Sequence, residues 1–236
     1  TDLLGQHLGT KATRSDSSSD DELNREIFEE AVDIVLKAWT EESIEHNSER
    51  WQIPFPYKDG HQGWEMAPWT KILGAHGEVG SEGELRRISV VPSPYTKPHP
   101  PVFVASNASQ RTVDYAGSKG FIPAYFSKSD TVANFGPSYT EKAREAGYNF
   151  APGQNQAIVR MPRIADSYTE AREHIASYDG MLFKHFYRSF LPIAMQEKTI
   201  INENTTYNDL VNPMIDTGLF MAGTTSEIRD HCLLYT

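Results

Sequence analysis

Residues 95–127 read "YTKPHPPVFVASNASQRTVDYAGSKGFIPAYFS". Prolines surround His99, and a short apolar run follows from Val102 to Ala105. With no polar residue on either face, that run fits a parallel strand covered on both sides. The small and mostly polar residues Ser106, Asn107, Ala108 and Ser109 come next, then a helical pattern to about Ser118 and a second strand over 121–126. A strand, a polar corner, a helix and a strand form the unit of a parallel α/β fold.

Working outward, the same alternation continues on both sides. Upstream, "DLLGQHLG" ends as a strand would, at Gly5, Gln6 and His7. A polar stretch leads to Ser19 and Glu22, which have capping-box spacing. Ile27, Phe28, Ala31, Ile34, Val35, Ala38 and Trp39 then recur with helical period up to about Thr40. Residues 41–94 are rich in Pro, Gly and Trp, too aromatic for a disordered linker. They read as an ordered excursion closed by a short strand at "RRISVV".

Downstream, a helix is expected over about 130–146, with Gly136-Pro137 near its start, and a strand over 155–165. Ser167 and Glu170 form a second capping box, and Asp166 reads as a helix cap. One long helix then runs to about Tyr187 through Ala171, Ile175, Tyr178 and Leu182. Residues 188–222 read as loop and short helix, and Thr224 and Glu227 cap a last helix.

Alternating strands and helices imply right-handed crossovers, in either an open doubly wound sheet or a (β/α)8 barrel. Only about four units are visible, and on the pattern alone that favours the open sheet.

Bulk properties exclude several functions. The chain has 236 residues and a net charge of −10, which disfavours nucleic acid and anionic membrane surfaces as partners. Apolar content of 39% and charged content of 23% mark a globular chain. A lone cysteine, Cys232, cannot form an internal disulfide and fits a reducing, cytoplasmic setting. No apolar run is long enough to span a membrane, and no signal-peptide pattern opens the chain at Thr1. The histidines show no metal-binding pairing, so no metal is expected. Neither a G-x-S-x-G elbow nor a G-x-G-x-x-G turn is present.

Four segments together resemble the bacterial luciferase-like flavin-dependent monooxygenases. They are "VVPSPYTKPHPPVFVASNASQRTVDYAGSKGF", "FEEAVDIVLKAWTEESIEHNSERWQIP", "ADSYTEAREHIASY" and "AGTTSEIRDH". The resemblance implies one (β/α)8 barrel domain over 1–236, represented by roughly strands four to seven, with 41–94 as an excursion before strand five. Strands one to three have no counterpart, and strand eight would follow Thr236. Such a piece is expected to lack catalytic residues carried on the early strands and not to be stable and active alone.

The resemblance also implies a chemistry. Reduced FMN, supplied by a separate flavin reductase, and O2 would oxidise an organic substrate. The alternatives are a coenzyme F420-dependent hydride-transfer oxidoreductase and a non-catalytic flavin-binding fragment. A homodimer is the candidate assembly. Sites in such barrels lie at the C-terminal ends of strands. Ser106, Asn107, Ala108 and Ser109 occupy such an end, where a helix N-terminus offers free N–H groups to an anion. On the sequence alone, simple helix capping by Asn107 or Ser109 is the favoured reading; the resemblance reverses it, because in the family the corresponding segment contacts the flavin phosphate. Arg111 sits one turn in. His7 offers a further hydrogen bond to the flavin or its phosphate. Tyr125, Phe126 and Ser127 close strand six, where Phe126 suits either a ring pocket or the core. His99 lies before its strand, at the opposite end, and reads as structural.

Overall fold

Phe103–Ala105 hydrogen-bonds to Ile122–Tyr125 in parallel register, Phe103 opposite Ile122 and Ala105 opposite Ala124, in a computed structural model that describes residues 18–106, 109–186 and 201–233. The described chain divides into two compact units, up to Pro100 and from Pro101 onward.

The first unit opens with helix α1, Ser18–Thr40. The helix already includes Ser19, so it starts two residues earlier than a cap at Ser19 predicts. Its apolar stripe is only partly covered, and Phe28 and Val35 each remain 44% exposed. The segment that follows carries short regular elements. A two-residue-per-strand hairpin pairs β1 (His46–Asn47) with β2 (Gln52–Ile53), and helix α2 spans Ala67–Leu73. Polar side chains hold the excursion to α1. The guanidinium of Arg50 donates to Glu26 and Glu30, and His46 bonds Glu30 at 2.8 Å. These contacts hold the Glu30 carboxyl below its usual range, with Ser48 and His46 the leading causes.

The strand expected at "RRISVV" does not form. Only Ile88 bridges, to Ile44. Arg86 and Arg87 are instead drawn aside, Arg86 to Glu84 and the Lys58 carbonyl, Arg87 to Ser43 and Glu45. His99 is structural as expected: its Nδ1 lies 2.7 Å from the Pro100 carbonyl, and its ring packs 6.4 Å from that of Trp39.

The second unit runs β3 (Phe103–Ala105), α3 (Gln110–Lys119), β4 (Ile122–Tyr125), α4 (Ser129–Glu145), β5 (Ala157–Ile158) and β6 (Met161–Ile164). Helix α5 (Tyr168–His174), a π-helical turn over Ile175–Asp179 and α6 (Gly180–His185) follow. Helix α7 (Tyr207–Asp216), β7 (Phe220–Gly223) and α8 (Thr225–Cys232) complete it. β3, β4 and β5 form one parallel sheet, and β6 and β7 another. This is the parallel α/β alternation the sequence predicts.

Four expectations are corrected here. β3 is covered on one face only: Val104 is buried while Phe103 is 61% exposed. The strand over 155–165 is two pieces, interrupted at Val159 and Arg160. Residues 220–222, expected as loop or short helix, belong to the strand Phe220–Gly223, with Phe220 opposite Met161. The long helix after Ser167 is broken by the π turn.

That turn changes which residues are inside. An i→i+5 turn inserts one residue and rotates everything after it. Ala171 and Ile175 are buried as predicted, but beyond the turn Asp179 and Phe183 take the inner positions. Tyr178 and Leu182 are 66% and 40% exposed. Phe183 meets Phe220 edge-on at 5.8 Å and joins Leu210, Met214 and Leu219 in the main core.

Capping fixes the helix ends. Thr206 with Asp209 and Thr224 with Glu227 form complete capping boxes. At α5 only half a box is made: Ser167 accepts from the Glu170 N–H, while the Glu170 carboxylate takes the N–H of Asp166. Ser167, not Asp166, is therefore the cap. Helix α3 ends on Gly120 at φ +68°, where a Cβ would lie 2.6 Å from the Tyr148 ring. Both the left-handed backbone and the close ring require glycine there.

Candidate functional site

Strand β3 delivers Ser106 to its C-terminal end, fully buried. Its N–H donates to the Ala124 carbonyl at 2.9 Å, extending the ladder one residue past the strand. The hydroxyl donates back to Val104 O at 3.1 Å. Ser127, at the end of β4, donates its hydroxyl to Ser106 O at 3.4 Å. Ser106 and Ser127 thus tie two adjacent strand ends together.

Arg160 joins them from the break between β5 and β6. Its Nη1 donates to the carbonyls of Ser127 at 3.2 Å and Val159 at 2.8 Å. Its Nη2 reaches the Ser129 hydroxyl at 3.4 Å, at the start of α4. A buried serine, a second buried serine and a guanidinium therefore organise the strand ends. Ser127 was noted in the sequence only as closing its strand, and Arg160 was not singled out. The signal for Arg160 was a charged residue inside the apolar run "AIVRM".

Ser109 stands at the N-cap of α3 with extended backbone, φ −106° and ψ 113°. Its carbonyl accepts the first helical bonds, from Thr112 and Val113. Its side chain makes no capping hydrogen bond. The Ser109 side chain therefore does not cap the start of the helix, the end that carries N–H donors and a partial positive charge. Gln110 and Arg111, the first residues of the helix, are exposed. Gln110 is turned along the helix surface, to Asp114 at 2.7 Å and Ser138 at 2.6 Å.

The structure thus brings Ser106 and Ser109 to one corner but separates their roles. Ser106 braces the corner from within, while Ser109 faces partly outward. His7, Asn107 and Ala108 lie outside the described residues. Phe126 packs against the main core. Tyr125, directly before it, is fully buried and donates its hydroxyl to Gln156 Oε1 at 2.8 Å. Burial, with Tyr139 nearby, raises the Tyr125 phenol well above its usual range and keeps it a donor.

A cavity of about 960 Å3 adjoins this region, walled by α4, the segment ahead of β5, the β5–β6 strand pieces, Met221 and Cys232. No helix among the described residues is long and apolar enough to cross a membrane.

A helix start that follows the C-terminal end of a parallel strand is a place where α/β enzymes bind anions. The luciferase-like monooxygenase family model matches residues 8–213, and the chain belongs to that family. No curated protein matched. Among solved structures, it is similar to the oxygenating constituent of 3,6-diketocamphane monooxygenase from the CAM plasmid of Pseudomonas putida, a type II Baeyer–Villiger enzyme in complex with FMN. The TM-score is 0.63 at 18% identity, over 98% of this chain and 57% of that one. A monooxygenase from Streptomyces bottropensis superposes with TM-score 0.53 at 16% identity, over 87% of this chain and 48% of that one. A long-chain alkane monooxygenase gives TM-score 0.51 at 15% identity, over 98% and 52%. At these identities the likeness is one of fold. The chain spans about half the length of these structures.

Proposed function

We propose that this chain carries the flavin-phosphate corner of a flavin-dependent monooxygenase built on a (β/α)8 barrel. The observation that carries the reading is the start of α3. The Ser109 side chain does not cap it, and it follows the C-terminal end of a parallel strand, inside the segment that resembles the family's phosphate contact. FMN fits this donor set: its phosphate is dianionic, and the corner offers N–H groups, a serine hydroxyl and small side chains.

When bound in reduced form, the flavin would supply the O2 chemistry that oxidises an organic substrate. The residues of this chain bind and orient. The α3 N-terminus and Ser109 hold the phosphate. Ser106, through its bonds to Val104 and Ala124, fixes the strand end that aims them. Ser127 and Arg160 brace the neighbouring strand end. Asn107, Ala108 and His7 complete the proposed contacts, with a separate flavin reductase as the electron source.

The test is a fluorescence titration of the protein with FMN, repeated on Ser109→Glu. A carboxylate beside the phosphate raises Kd by about tenfold or more, which is about 1.4 kcal/mol of repulsion. An unchanged Kd with an unchanged melting curve overturns the assignment.

A further inference from the structure

The cavity beside α4 has a chemistry of its own. It touches the helix from Val132 to Arg144. At 1.5 Å per residue that is a trough about 18 Å long. Val132, Pro137, Ile158, Pro162 and Met221 make its apolar walls. It continues past the strand ends to the last turn of α4 and the segment ahead of β5, away from the β3–α3 corner. At that far end stand Glu141 and Arg144. Neither side chain makes a hydrogen bond or ion pair among the described residues, although their spacing of three would allow one.

We propose that this trough is a second small-molecule site, for an extended aliphatic molecule ending in a hydroxyl group. The apolar walls take the chain, and the volume lies in the range of small-molecule pockets. The ends choose the head group. A hydroxyl accepts from the Arg144 guanidinium and donates to the Glu141 carboxylate at once. A carboxylate head meets Glu141 and an ammonium head meets Arg144, so each faces a like charge.

Gly136 gives a way to close the trough without damaging the fold. It lies on its wall inside α4, and a Cβ there would approach only the Gln156 side-chain oxygen, at 3.4 Å. Leucine at this position fills the space and suits a helix better than glycine. Cys232 gives the readout. It is the chain's one cysteine, it is exposed, and it lines the same cavity.

The experiment follows N-ethylmaleimide labelling of Cys232 in the 236-residue protein, without flavin, in the presence of decanol, decanoate or decylamine. Bound ligand slows labelling by the factor 1 + [L]/Kd, about tenfold at ten times Kd. Decanol should protect, and decanoate and decylamine at equal concentration should protect several-fold less. Gly136→Leu should retain or raise the melting temperature and lose the alcohol's protection. Glu141→Gln, an exposed change, should bring decanoate up towards decanol. The proposal is overturned if decanol gives no protection, if decanoate protects the unaltered protein equally, or if folded Gly136→Leu is still protected. It is overturned as well if Glu141→Gln leaves the head-group preference unchanged.

Discussion

Arg163 on β6 holds Asp179 of the π turn through two hydrogen bonds, Nε to Oδ2 at 2.6 Å and Nη2 to Oδ1. The carboxylate side is 8% exposed and the guanidinium side 40%. The inserted residue of the turn brings an acid to the inner position that a regular helix would give to Tyr178. The ion pair is what makes that acid tolerable. The Arg163 guanidinium is correspondingly held above its usual range, mainly by its hydrogen bond to Asp179.

The two halves of this pair should therefore respond unequally. Arg163→Met leaves a buried carboxylate without its partner and should cost about 2 kcal/mol, below the full buried-pair value because the arginine side is half open to water. Asp179→Asn leaves a guanidinium that can turn to solvent and should cost about 1 kcal/mol. Denaturant unfolding of the two variants checks the order. An equal or reversed order would mean that the carboxylate has other support.

The capping boxes predict an acid-limb effect. Thr224 lowers the Glu227 carboxyl below its usual range through its N–H first and its hydroxyl second, and Thr206 does the same for Asp209 through its hydroxyl first. A carboxyl lowered in the folded state contributes stability that is present above its unfolded pKa. That contribution is lost as pH falls through the folded one. Melting temperature should thus drop between about pH 5 and pH 3. Glu227→Gln, which can still reach back to the Thr224 N–H, should flatten part of that drop. Identical pH profiles for the two proteins would show that the box survives protonation.

Two serines that look alike in sequence should separate in function. Ser106 is buried with its hydroxyl on Val104 O, whereas Ser109 makes no side-chain cap. Ser106→Ala should lower stability by about 1 kcal/mol and leave FMN affinity within about twofold. Ser109→Glu should do the reverse, weakening FMN binding while the melting curve holds. Parallel FMN titrations and thermal melts decide. Equal loss of affinity in both would place Ser106 in contact with the phosphate.

How far the sequence carried can be read from these same residues. Local signals were legible. The alternation from Val102 to Tyr125, the Thr224–Glu227 box and the structural character of His99 all depend on neighbours a few positions away. The missed features depend on distant partners. Phe220–Gly223 is too short an apolar run to declare itself, and pairing with Met161 makes it a strand. Arg160 looked like any polar residue until the break in its strand aimed it at Ser127. "RRISVV" had the composition of a strand, but Arg86 and Arg87 found side-chain and carbonyl partners elsewhere. At the corner, the two serines looked alike in sequence, and only the folded backbone shows that Ser106 is the one turned inward.

The π turn supplies the last prediction because it reverses a pattern-based expectation. A regular helix through Ala171 and Ile175 would bury Tyr178 and Leu182, and truncating them would open cavities. In the structure Tyr178 is 66% exposed, and Phe183 is fully buried against Phe220. Tyr178→Ala should therefore change stability by only about 0.5 kcal/mol. Phe183→Ala removes a core ring and should cost about 3–4 kcal/mol. Deleting Ala176 takes out the inserted residue, so Asp179 and Phe183 fall on the positions a regular helix turns inward and the bond to Arg163 is kept. Deleting Met181 instead, an exposed residue beyond the turn, rotates Phe183 by about 100° away from Phe220 and should lower the melting temperature more. If the two deletions cost the same, the extra residue of the π turn is not what decides which side chains face inward.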